Sequence, residues 1–592
     1  MRFNFVYILL FFSLTVFSQN EQLAQNYFDR GEFEKAIVVY EDVLKAQPYN
    51  YPVLLKSIAC YQQLKQYEKA EQLIQSRIEK MKLDNLYVEL GYNYQLQKNQ
   101  EKADKNYASA LEKIRENPNN VYGIAYAFEQ KVLVEKAIQA YEIGKSVNPN
   151  LNFDYQLALL QGQLGNMELM TDKLLDFAFS NPANLPMVQN QLMRFITEDA
   201  SESFNAYLKK ALLLRTQKTQ DIFWNQFLSW YFVQQKEFGK AFIQEKAIFK
   251  RQPDNFYTII NLAKLAVQED ENEAATEILQ FILDNTQDLG LQMEAHHHLL
   301  SMEIEKASEK EFPGIREKLN LLLKKYGISP YSLQLQILSA HFDAFYLKQF
   351  ESAKNTLTKA LELPLNNYQK AEVKDELADI LLLDEKFNQA IIYYAQIEDD
   401  LKNDEIGHQA SLKMAKASYF KGDFEWAQKQ FKVLKSSSSQ LIANDALELF
   451  LLISDNTVED STQVALKKFC KADFLLYQNK TAEALKAFKA ILTEHKGQAI
   501  EDETLLKVGQ LYEKQNDFQQ ALLLYQQILD NYKESIYTDE ALFYSAEIYR
   551  KNLQDVEKAK ALYEKVIFNH QDSIHFVDAR TNFRKLRGDT NL

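Results

Sequence analysis

Residues 24–48 read AQNYFDRGEFEKAIVVYEDVLKAQP, and the placing of small, aromatic and apolar residues in them decides the fold. Ala24, Tyr27, Ala36, Tyr40, Val43 and Pro48 stand at steps of three, nine, four, three and five. The same steps separate Ala125, Phe128, Ala137, Tyr141, Gly144 and Pro149, and again Ser229, Phe232, Ala241, Glu245, Ile248 and Pro253. Steps of three and four keep side chains on one helical face, whereas nine must span a turn. Phe33, Tyr67, Phe238, Phe350, Phe387, Phe424 and Phe518 mark that turn, each three residues before an alanine. Each unit therefore reads as two antiparallel helices. A small residue lets the pair approach, aromatics fill the gap beside it, and a proline ends the second helix.

The pattern recurs without the proline in Gly91, Tyr94, Ala103, Tyr107 and Ala110, in Ala378, Leu381, Ala390, Tyr394 and Ile397, and in Gly509, Tyr512, Ala521, Tyr525 and Ile528. A last copy, with one residue inserted, is Ala546, Tyr549, Ala559, Tyr563 and Val566. As a set, these copies resemble the tetratricopeptide repeat, whose period is about 34 residues. That resemblance implies an all-α fold: an α-solenoid wound as a right-handed superhelix, with a long groove lined by the first helix of each repeat. The stretches Leu157–Thr219 and Gly290–Lys325 keep helical periodicity but lose the alanine and tyrosine positions, and read as degenerate helical pairs. Helix parity is ambiguous around Leu441–Ile453, and Ser436–Ser439 and Ser454–Thr462 read as polar loops.

The expected organisation is a signal peptide over 1–18, a regular block over 19–150, degenerate repeats over 151–221, a middle array over 222–454 and a C-terminal array over 455–592. A chain of 592 residues exceeds the roughly 250–300 that one core supports, as an extended array would. Fifteen glycines and ten prolines specify few turns, which fits helices joined by short connections.

The start of the chain is different in character. Arg2 precedes an apolar run from Phe5 to Phe17, interrupted only by Ser13 and Thr15, and the small residues Val16 and Ser18 place a cleavage site before Gln19. This is the pattern of a secretory signal, and the run is short for a membrane span. Export to the periplasm, or to the periplasmic face of an outer membrane, is the expectation. The segment from Asp517 to Tyr549 agrees with it, being similar to repeats of periplasmic proteins that serve outer-membrane assembly and the Tol envelope system. Those proteins carry a Tyr-Pro-x-Ser step between repeats; Tyr532, Lys533, Glu534 and Ser535 stand there without the proline.

A net charge of −14 argues against nucleic acid and against anionic membrane surfaces. Cys60 and Cys470 lack any metal-ligand spacing and read as separate buried thiols. His296, His297 and His298 point about 100° apart on a helix and so suit a helix surface better than a metal. No HExxH, phosphate loop, dinucleotide fingerprint or nucleophile elbow is present. Asp399–Asp400 and Glu501–Asp502 read as caps and solvated turns between helices. No cofactor, metal or catalytic residue is expected.

What remains is surface. In the repeat family, the residue after the small one and the residue four before it face the groove. This places Val88, Tyr92, Tyr122, Tyr126 and Trp230 there as candidate partner-binding residues. Asp375 and Asp379 lie on the same face, with Lys264 and Lys416 as isolated bases, so a lysine-rich clamp for a carboxylate is not expected. The reading is a scaffold or adaptor of the cell envelope that holds protein or peptide partners. Its alternatives are a structural subunit of an envelope assembly complex and, from another class, a cell-wall-active hydrolase.

Overall fold

The computed structural model describes residues 20–196, 202–219, 221–253, 256–437, 439–458 and 462–588. The signal expected over 1–18 lies outside them. Helices joined by short turns make up the described chain, and no strand occurs among the described residues. Each of the seven turn-marking aromatics, Phe33 to Phe518, is the first residue of a second helix. The helices ahead of Pro48, Pro149 and Pro253 stop at Ala46, Val147 and Phe249.

The turn between paired helices recurs in one conformation from pair to pair, although not between Leu289–Lys306 and Phe312–Tyr326. The residue two before the second helix takes a positive φ: Gly31, Gly165 and Gly422 do so, and so do Lys65, Lys98, Val132, Glu385 and Asn516. Only one residue needs the left-handed conformation, so glycine is favoured there but not required.

The aromatic at the second-helix position is anchored at both ends. Its ring packs on the small residue of the first helix, and its hydroxyl reaches back to a polar side chain one or four residues beyond that small residue. Tyr107 donates to Gln95 Oε1 at 2.7 Å, Tyr141 to Glu129 Oε1 at 2.7 Å and Tyr525 to Glu513 Oε2 at 3.1 Å. Tyr40, Tyr107, Tyr394, Tyr525 and Tyr563 are all buried in this way. Each such tyrosine brings apolar burial together with a satisfied polar tip.

The chain divides into two compact units, Met1–Leu228 and Ser229–Leu592, each built of stacked helix pairs in the manner of an α-solenoid. In the first unit, two first helices matter below, α1 (Leu86–Leu96) and α2 (Val121–Gln130). The degenerate stretch resolves into the pair Asp154–Gln163 with Met167–Ser180, followed by Leu185–Met193 and Glu202–Thr219, each of which packs on Met167–Ser180. In the second unit, first helices α3 (Asn367–Leu383) and α4 (Glu405–Lys421) are followed by α5 (Gln440–Val458), α6 (Val464–Tyr477), α7 (Ile500–Lys514) and α8 (Thr538–Lys551).

Helix α5 explains the ambiguous parity. It has no second helix of its own: it packs on Phe424–Leu434, while α6 pairs with Thr481–Glu494. It also runs on to Val458, so the loop expected from Ser454 is helical for its first five residues. Ser454 and Thr457 are absorbed because the apolar stripe of α5 continues through Leu452 and Ile453. The extra helix carries the end of α6 back to α3, where Tyr477 Oη donates to the backbone oxygen of Asp379 at 3.4 Å and Gln478 Nε2 to that of Leu383 at 3.4 Å.

Candidate protein-binding site

In the first unit the structure separates the sequence candidates. Val88 stands three residues before Gly91 and so shares its inward face; it is fully buried and offers no surface to a partner. Tyr92 is partly buried, with the Lys131 ammonium 4.9 Å from its ring centre. Lys131 also pairs with Glu89 Oε2 at 2.9 Å, and burial raises the Glu89 carboxyl while Lys131 opposes that rise. Tyr122 and Tyr126, one turn apart on α2, are 57% and 58% exposed. Tyr122 meets Phe153 edge-on at 5.3 Å, which fixes its ring without covering it. Trp230, at the start of the second unit, is partly buried.

In the second unit α3 to α7 enclose a cavity of about 710 Å³, which the return of α6 to α3 closes on one side. Asp379, Lys413, Lys416, Glu448, Asp473 and Lys507 line it, and Phe345, Phe420 and Tyr477 supply aromatic faces. The lysines are organised by carboxylates. Lys413 Nζ lies 2.8 Å from both Asp375 and Asp379, and Lys416 lies 2.8 Å from Asp445. Lys507 stands 3.4 Å from Glu448 and 3.9 Å from the buried Glu503. Burial tends to lower Lys507, but Glu503, Glu448 and Asp473 outweigh it and hold the ammonium charged. Burial pushes the carboxyls of Asp473 and Glu503 up.

Several sequence expectations change here. Lys416 and Lys264 each engage a carboxylate, Asp445 at 2.8 Å and Glu294 at 2.5 Å. Glu501 and Asp502 accept backbone N–H groups at the start of α7, from Gly497 and from Glu503 at 2.8 Å, but not in a solvated turn: Glu501 is buried and burial raises the Asp502 carboxyl. Asp399–Asp400 are the last residues of helix Phe387–Asp400, and Asp400 pairs with Lys374 at 2.8 Å. The three histidines are partly buried rather than on an open surface, and burial drives His297 down to about 4. Among the described residues no group of histidine, cysteine and carboxylate side chains is placed to hold a metal ion. Cys60 and Cys470 are both buried free thiols.

Sequence reasoning missed Asp473, Tyr477 and Lys507. The available signal was charge: Asp473 and Lys507 interrupt otherwise apolar faces of first helices. Without the parity of α5, no register joined them to Asp379.

Two models of the tetratricopeptide repeat match the chain, one over residues 27–90 and one over 503–535 and 540–573. The chain therefore carries tetratricopeptide repeats near both ends, and neither matching model is of a catalytic family. Among curated proteins it is similar to the BBSome complex member BBS4 of Bos taurus, 22% identical over 256 residues. That alignment covers 43% of this chain and 49% of the relative, so the chain spans about half the length of the curated relative it matches. Solved structures aligned with it include Naa15/Naa10 bound to HypK-THB, at 13% identity, 97% of this chain, 96% of that chain and a TM-score of 0.29. Yeast Tom70 aligns at 13% identity, 94% of this chain, 97% of that chain and a TM-score of 0.26. The architecture rests on the helix pairing itself and on the repeat models. Among the described residues, no helix is long and apolar enough to cross a membrane.

Proposed function

We propose that this protein is an exported scaffold of the bacterial cell envelope that holds segments of partner proteins against the first-helix faces of its repeats. The observation that carries the reading is the cavity of the second unit. Successive first helices contribute one wall each, and their lysines and carboxylates are held in place by one another. Such a wall is ordered before a partner arrives, which lowers the cost of binding. The exposed Tyr122 and Tyr126 provide a second face of the kind that supplies binding hot spots. Support for export comes from Arg2, the apolar run Phe5–Phe17 and Ser18, and from the envelope-type repeat over Asp517–Tyr549.

The test is capture from native envelope extract by the tagged full chain, followed by mass spectrometry. Leu476→Trp places an indole in the cavity and should release the captured partner while helicity is kept. Undiminished capture by that variant would overturn the reading. N-terminal analysis of the native protein should begin at or near Gln19; a mature chain that keeps Met1 in the cytoplasm would remove the envelope.

A further inference from the structure

The last described helix, α9 (Phe576–Arg587), stands where the first helix of a further repeat would stand. Ser573, Ile574 and His575 lead into it as Ser535, Ile536 and Tyr537 lead into α8. In both places the backbone N–H of the third residue donates to the serine Oγ at 3.1 Å. In that register Ala579 answers Ala541, and both are fully buried. Phe583 and Leu586 join Ala579 in packing toward the helix Val556–Asn569. The neighbouring row of α9 is different in kind. On α7 this row is Leu505, Gly509 and Tyr512, and on α8 it is Leu542, Ala546 and Tyr549. There it receives the second helix of its own repeat: Gly509 lies against Tyr525, and Tyr549 lies beneath Lys558 at 5.0 Å. On α9 the same three places hold Arg580, Arg584 and Arg587. Among the described residues no helix follows to cover them.

A terminal repeat needs a polar outer face, but not a row of one sign. The arginines stand four and three residues apart, and like charges at those spacings destabilise a helix. The helix dipole favours bases in the last turn, which accounts for Arg584, Lys585 and Arg587 but not for Arg580. Arg580 and Arg584 make no ion pair among the described residues. Stacking holds two of the planes, with Arg580 over Phe576 and Arg587 over Phe583, each at 5.5 Å. A held guanidinium presents its donors as a fork that matches a carboxylate. The row is thus a helix-packing surface that carries cations in place of apolar residues, in a chain of net charge −14.

We infer that α9 docks an acidic helix of a partner protein, laid where the second helix of a repeat would lie, with its carboxylates on Arg580, Arg584 and Arg587. Charge complementarity and the packing position together select that occupant. An anionic membrane suits the surface less, because the rest of the chain is acidic and is repelled by it. This surface lies apart from the cavity of the second unit and stands or falls independently of what the cavity holds.

The experiment is calorimetric titration of the full chain at physiological salt. The probe is an alanine-rich peptide of about 18 residues, long enough to form a helix alone, with its glutamates on one face. It should bind. The same composition with the glutamates spread around the helix should bind at least tenfold more weakly, and a version with lysines should not bind. Arg580→Ala with Arg584→Ala should weaken the one-faced peptide at least tenfold at unchanged helicity. Lys533→Ala with Lys565→Ala removes two exposed bases elsewhere and should leave it unchanged. Equal binding of the spread peptide, or equal loss in the two double variants, would reduce the effect to general charge attraction and overturn the site. No loss in the arginine variant would overturn it too. Vesicles of phosphatidylglycerol bound more tightly than the peptide would replace the partner helix by a membrane. Self-association of the parent that the arginine variant abolishes would replace it by a second copy. Leu476→Trp alters only the cavity and should keep peptide binding; loss there would move the peptide into the cavity and overturn the assignment to α9.

Discussion

A Cβ built on Gly509 would stand 2.4 Å from Cε1 of Tyr525, closer than any real side-chain contact. Gly91 bears the same relation to Tyr107, also at 2.4 Å. In these two repeats the backbone of the first helix lies directly against the aromatic ring of the second. Gly509→Ala and Gly91→Ala should therefore each destabilise the protein. Overpacking costs about 1–3 kcal/mol, while alanine regains up to about 1 kcal/mol of helix propensity, so the net loss is about 1 kcal/mol. Gly314, in helix Phe312–Tyr326, has nothing within 4 Å of the added carbon, and Gly314→Ala should stabilise. Opposite shifts of the denaturation midpoint check the pair; a stabilised Gly509→Ala would show that the ring yields.

Val132 holds the left-handed turn position at φ 56° with 79% of its surface exposed. A β-branched residue is strained there, by about 1–2 kcal/mol relative to an unhindered one. Val132→Gly loses no core contact and should raise the midpoint of unfolding. The comparable change at Gly422, Gly422→Val, should lower it. Chemical denaturation of both variants measures the difference.

How far the fold was legible follows from these same positions. The small residue, the aromatic and the turn-marking Phe or Tyr repeat because each packs against its own repeat, so local spacing reveals them. Val88 was misread for a related reason: on a first helix the groove face and the core face lie only a residue or so apart, and the spacing that put Val88 in the groove falls instead on the buried face it shares with Gly91. The cavity was illegible because it depends on α5, a helix without a partner. Asp473 and Tyr477 reach Asp379 only after that extra helix shifts the stack, and no periodicity within one repeat encodes the shift.

Two glutamates on α8 should give opposite pH responses. Burial is the main cause that lifts Glu540 to about 7, helped by Asp539 and Glu448. Its folded value exceeds the ordinary 4.5, so its contribution to stability is complete below about pH 4.5 and is lost as pH rises through 7. Glu547 is also buried, which tends to raise it, but hydrogen bonds from Arg550, Lys551 and Tyr563 prevail and hold it at about 2. Its contribution is complete above about pH 4.5 and is lost as pH falls toward 2. Glu540→Gln should therefore outlast the parent at pH 8 and match it near pH 4. Glu547→Gln should be weaker at pH 7, with the gap closing below pH 4. Midpoints at pH 3, 5 and 8 test both signs.

The last prediction concerns the tyrosines of α2. Tyr122 and Tyr126 are more than half exposed, so little of the core depends on them. Tyr92 differs, because it takes part in the buried Glu89–Lys131 arrangement through the cation above its ring. Tyr126→Ala should leave the unfolding midpoint within about 0.5 kcal/mol of the parent. Tyr92→Ala should lower it, since the ring that covers Lys131 is lost. Binding separates the roles further. If this face holds a partner, Tyr122→Ala with Tyr126→Ala should weaken a partner captured from envelope extract by about 2 kcal/mol, roughly thirtyfold, with helicity intact. The measurement is a titration of the double variant with that partner. Full affinity in the double variant, beside loss in Leu476→Trp, would confine the binding surface to the second unit.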